Sequence, residues 1–323
     1  SVGFKLILLS MSEDWSWIWW SSLLAVSVVN FGWYAVAVRN QQKGDISTAD
    51  KSYYTVMRRA ALPFILVCAY RGWFPTIYLS RSVLIDSGFS SILLARGLAS
   101  VAEVCWVFQI ASALSRVNSD LALQLQLTAP PSLESSSRRC MCCCRGDRVV
   151  QMVSVLLVLL ICAAECFSCT ATVTTDSLYF MLEEGSWVVG FTMVLPCSIY
   201  LVLQLRKLKT RGVAVPRRVQ IFCILLMVCM IVYVPWGWTM DVPANYRRWQ
   251  NDTVHHKQYN TFKKGLEQAA NFRVPTRSWD VWKGYLLWMT GYFTAGVWSS
   301  ILLVSAPCIP QEAQTQYDLI FGG

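Results

Sequence analysis

Histidine is nearly missing from this chain, and charge is scarce. Of 323 residues only two are His, and only 15% are Asp, Glu, Lys or Arg. His255 and His256 are adjacent, in a stretch that reads as a loop. Two neighbouring histidines exclude membrane di-iron enzymes built on His boxes, and b-type haem or chlorophyll sites that need His ligands. A solvated loop pair is the reading for both. A P-loop, a G-x-S-x-G elbow and an H-E-x-x-H zinc motif are also missing. The shortage of charge is as informative. A soluble domain carries about 25% charged residues, so much of this chain faces something other than water.

What is abundant identifies that solvent. The chain is 55% hydrophobic with a mean hydropathy of +0.42. Its apolar residues gather in runs long enough to cross the ~30 Å hydrocarbon layer. The runs do not alternate with polar residues, which excludes a β-barrel. The expected fold is an all-α integral membrane protein, a bundle of about seven transmembrane helices. The spans read as 15–38, 60–79, 89–114, 149–171, 186–205, 219–240 and 284–304. Residues 1–14 precede this single domain (15–307) and 308–323 form a polar tail. Ser1 reads as a processed, truncated or mis-started end, with Met11 a candidate start. A Ser- and Cys-rich linker (118–148) and a long loop (241–283) break the pattern. Tyr259, Phe262, Leu266 and Ala269 recur at helical spacing in that loop and predict an amphipathic surface helix.

Trp15, Trp17, Trp19 and Trp20 cluster at one end of the first span and Trp33 with Tyr34 at the other, an interfacial signature. The net charge of +9 resides mostly in loops, where topology and anionic lipid account for it without nucleic acid. Loops 1–2, 3–4 and 5–6 hold five, five and six Lys/Arg; the N-terminus and loops 2–3 and 4–5 hold one, one and none. Basic residues stay on the inner side of a membrane, which places the N-terminus out and the C-terminus in. Loop 6–7 carries eight, spread over its length. It also holds the sequon Asn251-Asp252-Thr253, a glycosylation candidate that this topology puts outside.

Charges within the spans are the candidates for chemistry. The third span carries Arg96, Glu103 and Gln109, the second Arg71 and the fourth Glu165. Ser87, Ser91, Ala95, Ala99 and Glu103 recur every four residues, a row along which neighbouring helices approach closely. Arg96 and Glu103, seven apart, share a face. Arg71 and Glu103 fall near mid-span; Arg96 lies about 10 Å toward the outside, and Glu165 about 7–8 Å outward of its midpoint. Each unpaired charge would cost at least ~2.5–3.5 kcal/mol. Pairing Arg71 with Glu103 and Arg96 with Glu165 in two layers relieves much of that. The cluster is either a polar binding or translocation site or a structural ion-pair network.

Most of the thirteen Cys lie in apolar runs and act as small hydrophobes. Cys166 and Cys169 form a C-x-x-C, a weak redox signal without a loop-borne partner pair. Cys140, Cys142, Cys143 and Cys144 stand among Arg138, Arg139 and Arg145 beside a span, the setting of S-palmitoylation; unmodified thiols and a metal site are the alternatives. Seven spans are shared with retinal proteins and G-protein-coupled receptors, but 284–304 lacks both a Lys and an Asn-Pro-x-x-Tyr segment. The third span ends in Leu114-Ser115-Arg116-Val117-Asn118, not in an acidic–Arg–Tyr triplet.

Three readings of function follow. The first is a non-enzymatic protein binding or transporting a small polar or anionic ligand, or a lipid headgroup, between spans 2–4. The second is an accessory subunit of a larger membrane complex. The third is a membrane enzyme, for which no nucleophile–base pair or metal set is visible. No cofactor is expected; membrane lipids, including bound ones, and other membrane subunits are the expected partners.

Overall fold

The computed structural model describes residues 2–43, 48–128 and 137–309, and side chains for 15–42, 50–128 and 146–309. The chain runs up and down a helical bundle: α1 (Val2–Lys43), α2 (Thr48–Trp73), α3 (Ile92–Leu127), α4 (Ser137–Thr174), α5 (Ser177–Thr210) and α6 (Arg217–Trp236). A π-helical turn, Gly237–Asp241, joins α6 to α7 (Val242–Val254). Then come α8 (Phe262–Asn271), α9 (Trp279–Trp282), α10 (Leu286–Gly291) and α11 (Val297–Val304), with a second π-helical turn at Tyr292–Gly296.

Among the described residues, six stretches are long and apolar enough to cross a membrane: 15–42, 92–127, 146–174, 177–210, 217–254 and 279–304. α2 runs alongside them between α1 and α3, but Asp50, Lys51, Arg58, Arg59 and Arg71 keep it outside that set. The surface agrees with a multi-pass membrane protein. Val28, Val155, Leu159, Ile231, Val232 and Leu302 are exposed, while Arg71, Arg96, Glu103 and Glu165 are buried. Apolar exposure on this scale is uncommon on soluble monomers.

α3 sits at the centre, packed against α2, α4, α5 and α11. Ala95, Ala99, Ala102 and Ala113 on it are fully or almost fully buried, so neighbours come close. Polar side chains then tie the helices together. Gln109 donates from Nε2 to the Met57 carbonyl (2.8 Å) and accepts from Ser300 Oγ (2.5 Å). Asn30 donates to the Phe293 carbonyl and accepts from Trp298 Nε1. In a bilayer such groups have no water to fall back on.

The bundle has two ends. At the cap face, β1 (Thr76–Ile77) and β2 (Ser82–Val83) form an antiparallel hairpin that β3 (Val274–Pro275) joins in parallel. α8 lies here across α3 and α4. At the opposite face, Asp120 accepts from Arg116 Nε (2.9 Å) and from the Ile309 backbone N–H (2.8 Å), while Arg116 also reaches Asp50 (2.6 Å). That cluster fastens the chain after α11.

Several boundaries differ from those the hydrophobic pattern suggests. The linker 118–148 is helical over 118–127 and 137–148. Asn118, Asp120 and Gln124 are buried there, and Asn118 donates to the Asp147 carbonyl, so polarity in 118–127 marked partnered residues; 129–136, the Pro- and Ser-rich part of the linker, lie outside the described residues. The short turn between the second and third spans is the β1–β2 hairpin. α5 begins at Ser177, capped by Asp176, whose carboxylate accepts from the Leu178 N–H (2.9 Å). The start of loop 241–283 continues helically as α7. The expected amphipathic helix exists as α8, but it buries Gly265 and Ala269 and leaves Phe262 and Leu266 exposed. The reason is close approach: a Cβ on Gly265 would collide with the Val173 carbonyl oxygen.

Candidate functional site

The charged residues of three helices meet in one buried cluster. α3 contributes Arg96 and Glu103, which share a helical face. α2 brings Arg71 and α4 brings Glu165. Arg71 Nη1 lies 3.5 Å from Glu103 Oε1, and Arg96 Nη2 lies 2.9 Å from Glu103 Oε2. Arg96 Nη2 also pairs with Glu165. Because Arg96 reaches both acids, the two expected layers are a single network.

The network has a third carboxylate that the sequence placed in a loop. Glu183, two turns into α5, is buried, and its Oε1 lies 3.6 Å from Arg96 Nη1. Three carboxylates therefore face two guanidiniums, and the fully ionised cluster carries one net negative charge. An apolar medium penalises that surplus.

The donors are unevenly shared. Glu103 receives both arginines and the Tyr292 hydroxyl, which donates to Oε1 at 2.7 Å. The π-helical turn at Tyr292–Gly296 sets that residue; such turns often occur at functional sites. Among the described residues, Glu165 Oε1 and Glu183 Oε2 have no hydrogen-bond partner of ordinary geometry, and neither does the Tyr78 hydroxyl. The aromatic rings form a cage for the guanidiniums. Arg71 Cζ lies 5.4–5.6 Å from the ring centroids of Tyr78, Trp288, Tyr292 and Phe293. Arg96 Cζ lies 5.5 Å from that of Tyr78. Such cation–π contacts, at about 2 kcal/mol when desolvated, help keep both cations in an apolar setting.

One oxygen from each of Glu103, Glu165 and Glu183 falls within 4.8 Å of the others, a spacing open to a metal ion. Arg96 touches all three carboxylates, so a guanidinium already occupies the cationic position.

The other candidates lie apart. Cys166 is exposed and Cys169 half-buried; both are free thiols, and Cys169 Sγ is 3.4 Å from Ser100 Oγ. Cys140, Cys142, Cys143 and Cys144 fall outside the residues whose side chains are described. Asn251 is exposed near the end of α7, on a helix rather than a loop. His255 and His256 are exposed just beyond it.

Glu183 and Tyr292 escaped sequence reasoning. Asp176 at a capping position was a readable signal that helix begins before Glu183; no signal marked the π-helical turn. Compared with known proteins, the chain matches no protein-family model, no curated protein and no solved structure.

Proposed function

We propose that this chain is a multi-pass membrane protein that binds and exchanges a proton at the Arg–Glu cluster, and that the proton couples to movement of a small polar solute. α2 crosses the membrane with the other six legs in this reading. The observation that supports it is Glu183. A third carboxylate makes the cluster acidic by one charge, and Glu165 and Glu183 each keep an oxygen free of donors. Taking up one proton neutralises the cluster without moving either arginine. An anionic ligand is the weaker form of this reading, because both guanidiniums already hold carboxylates.

Infrared spectroscopy of the full chain in lipid nanodiscs tests it. A protonated carboxylic acid band should titrate with pH in the wild type and be lost or displaced in Glu165→Gln or Glu183→Gln. A spectrum with no titrating carboxylic acid attributable to either residue refutes the proposal.

A second reading, an accessory subunit of a membrane assembly, draws on α7. It buries none of its residues and presents Tyr246 and Val254 outward. Co-purification of stoichiometric partner chains after gentle extraction would support it.

A further inference from the structure

We infer that Glu165, Ser168 and Thr172 line a hydrated path along α4, by which protons pass between the carboxylate cluster and the cap face beneath α8. This rests on the proton-exchange reading above and assigns that site its route.

The hydroxyls of α4 behave in two ways. Ser154 donates to the Val150 carbonyl (2.9 Å), Thr170 to Cys166 (2.8 Å) and Thr174 to Thr170 (2.8 Å). This back-bonding to the residue four before is how Ser and Thr satisfy themselves in membrane helices. Ser168 and Thr172 do not follow. Both are buried, at 0% and 1% exposure, and among the described residues neither hydroxyl makes a hydrogen bond of ordinary geometry. Ser168 Oγ faces the Glu183 carboxylate.

Their positions are ordered. Glu165, Ser168 and Thr172 stand at i, i+3 and i+7, on one helical face. They cover two turns, about 10 Å. The row starts at the bare Glu165 Oε1. It ends one residue before Val173, whose carbonyl packs against Gly265 of α8. Above it, the Asn260 N–H donates to the Thr174 carbonyl (3.0 Å) and Ser91 Oγ to the Ala270 carbonyl (3.2 Å), holding the cap over α3 and α4.

A buried hydroxyl left without a protein partner, as at Thr172, is ordinarily satisfied by water, and Ser168 carries the row on to the Glu183 carboxylate it faces. A chain of waters on these oxygens carries protons with no other reactant. An excess proton entering at the cap face is relayed from water to water. The last water gives a proton to a carboxylate oxygen of Glu165 or Glu183, its O–H bond breaking as the carboxyl O–H forms, and regains one from the water behind it, so that no hydroxide is left. The reverse step returns it.

The test is the rate at which the cluster's carboxylic proton exchanges for deuterium, followed by its infrared band in the full chain in nanodiscs. Thr172→Val, close to isosteric, and Ser168→Ala/Thr172→Val should slow exchange about tenfold or more, the scale of losing a hydrogen-bonded step. In Thr172→Val the pH titration of the band should stay in place. Thr172→Ser, which keeps the hydroxyl, should exchange as fast as the wild type. Unchanged exchange in Thr172→Val and in the double variant, with the band present, overturns the path and leaves the proton site standing. Equal slowing in Thr172→Ser also overturns it, because packing rather than the hydroxyl would then set the rate. A wild type with no titrating carboxylic acid overturns the proton site and the path together.

Discussion

Arg96→Gln and Glu183→Gln should move stability very differently, although they remove opposite ends of one ion pair. Arg96 is 5% exposed and contacts Glu103, Glu165 and Glu183. Its loss leaves three buried carboxylates facing Arg71 alone, so the net charge goes from one negative to two. Breaking a buried pair from one side costs about 3–5 kcal/mol, and with three acids stranded the upper part of that range is expected. Glu183→Gln loses its 3.6 Å ion pair with Arg96 but brings the cluster to neutrality at nearly constant volume. It should therefore fall within about 1 kcal/mol of the wild type. Arg273→Gln is the control. Its pair with Asp86 is 2.5 Å long but 27% and 58% exposed, so the loss should stay below about 1 kcal/mol. Equilibrium unfolding of the full chain in mixed micelles with a denaturing detergent, followed by Trp fluorescence, reads all three. An Arg96→Gln loss near the ~0.6 kcal/mol of an ordinary interhelical hydrogen bond would refute the reasoning. So would Glu183→Gln being the more damaging change.

Three further outcomes follow from particular contacts. Tyr292→Phe removes the donor 2.7 Å from Glu103 and should cost about 1.5–3 kcal/mol, the range for a hydrogen bond to a charged group, in the same unfolding assay. Gly265→Ala drives a methyl into the Val173 carbonyl; the resulting misfit should cost about 1–3 kcal/mol and raise the rate of limited proteolysis around α8. Asp120→Ala strips the acceptor from Arg116 and from the Ile309 N–H. It should destabilise by about 1–3 kcal/mol and speed hydrogen exchange at the Ile309 amide.

The sequence alone determined the class of fold. Long apolar runs with little charge require helices whose backbone bonds close within each segment, so six of the spans were readable from composition and length. The same logic singled out Arg71, Arg96, Glu103 and Glu165, because a charge in an apolar run demands a partner. Window hydropathy, however, reads the side chain and not its neighbours. It put Glu183 in a loop because the apolar run starts later, at Ser186, although Asp176 already caps the helix. It gave α8 its most hydrophobic face, whereas backbone proximity selected the smallest one. Only the tertiary structure decided that two pairs are one network, that a third acid joins it, and that a π-helical turn brings Tyr292 in. The physical reason is range. Periodicity and hydropathy act within a few residues along the chain, while the charge balance of a buried site is set by helices that meet from distant parts of it.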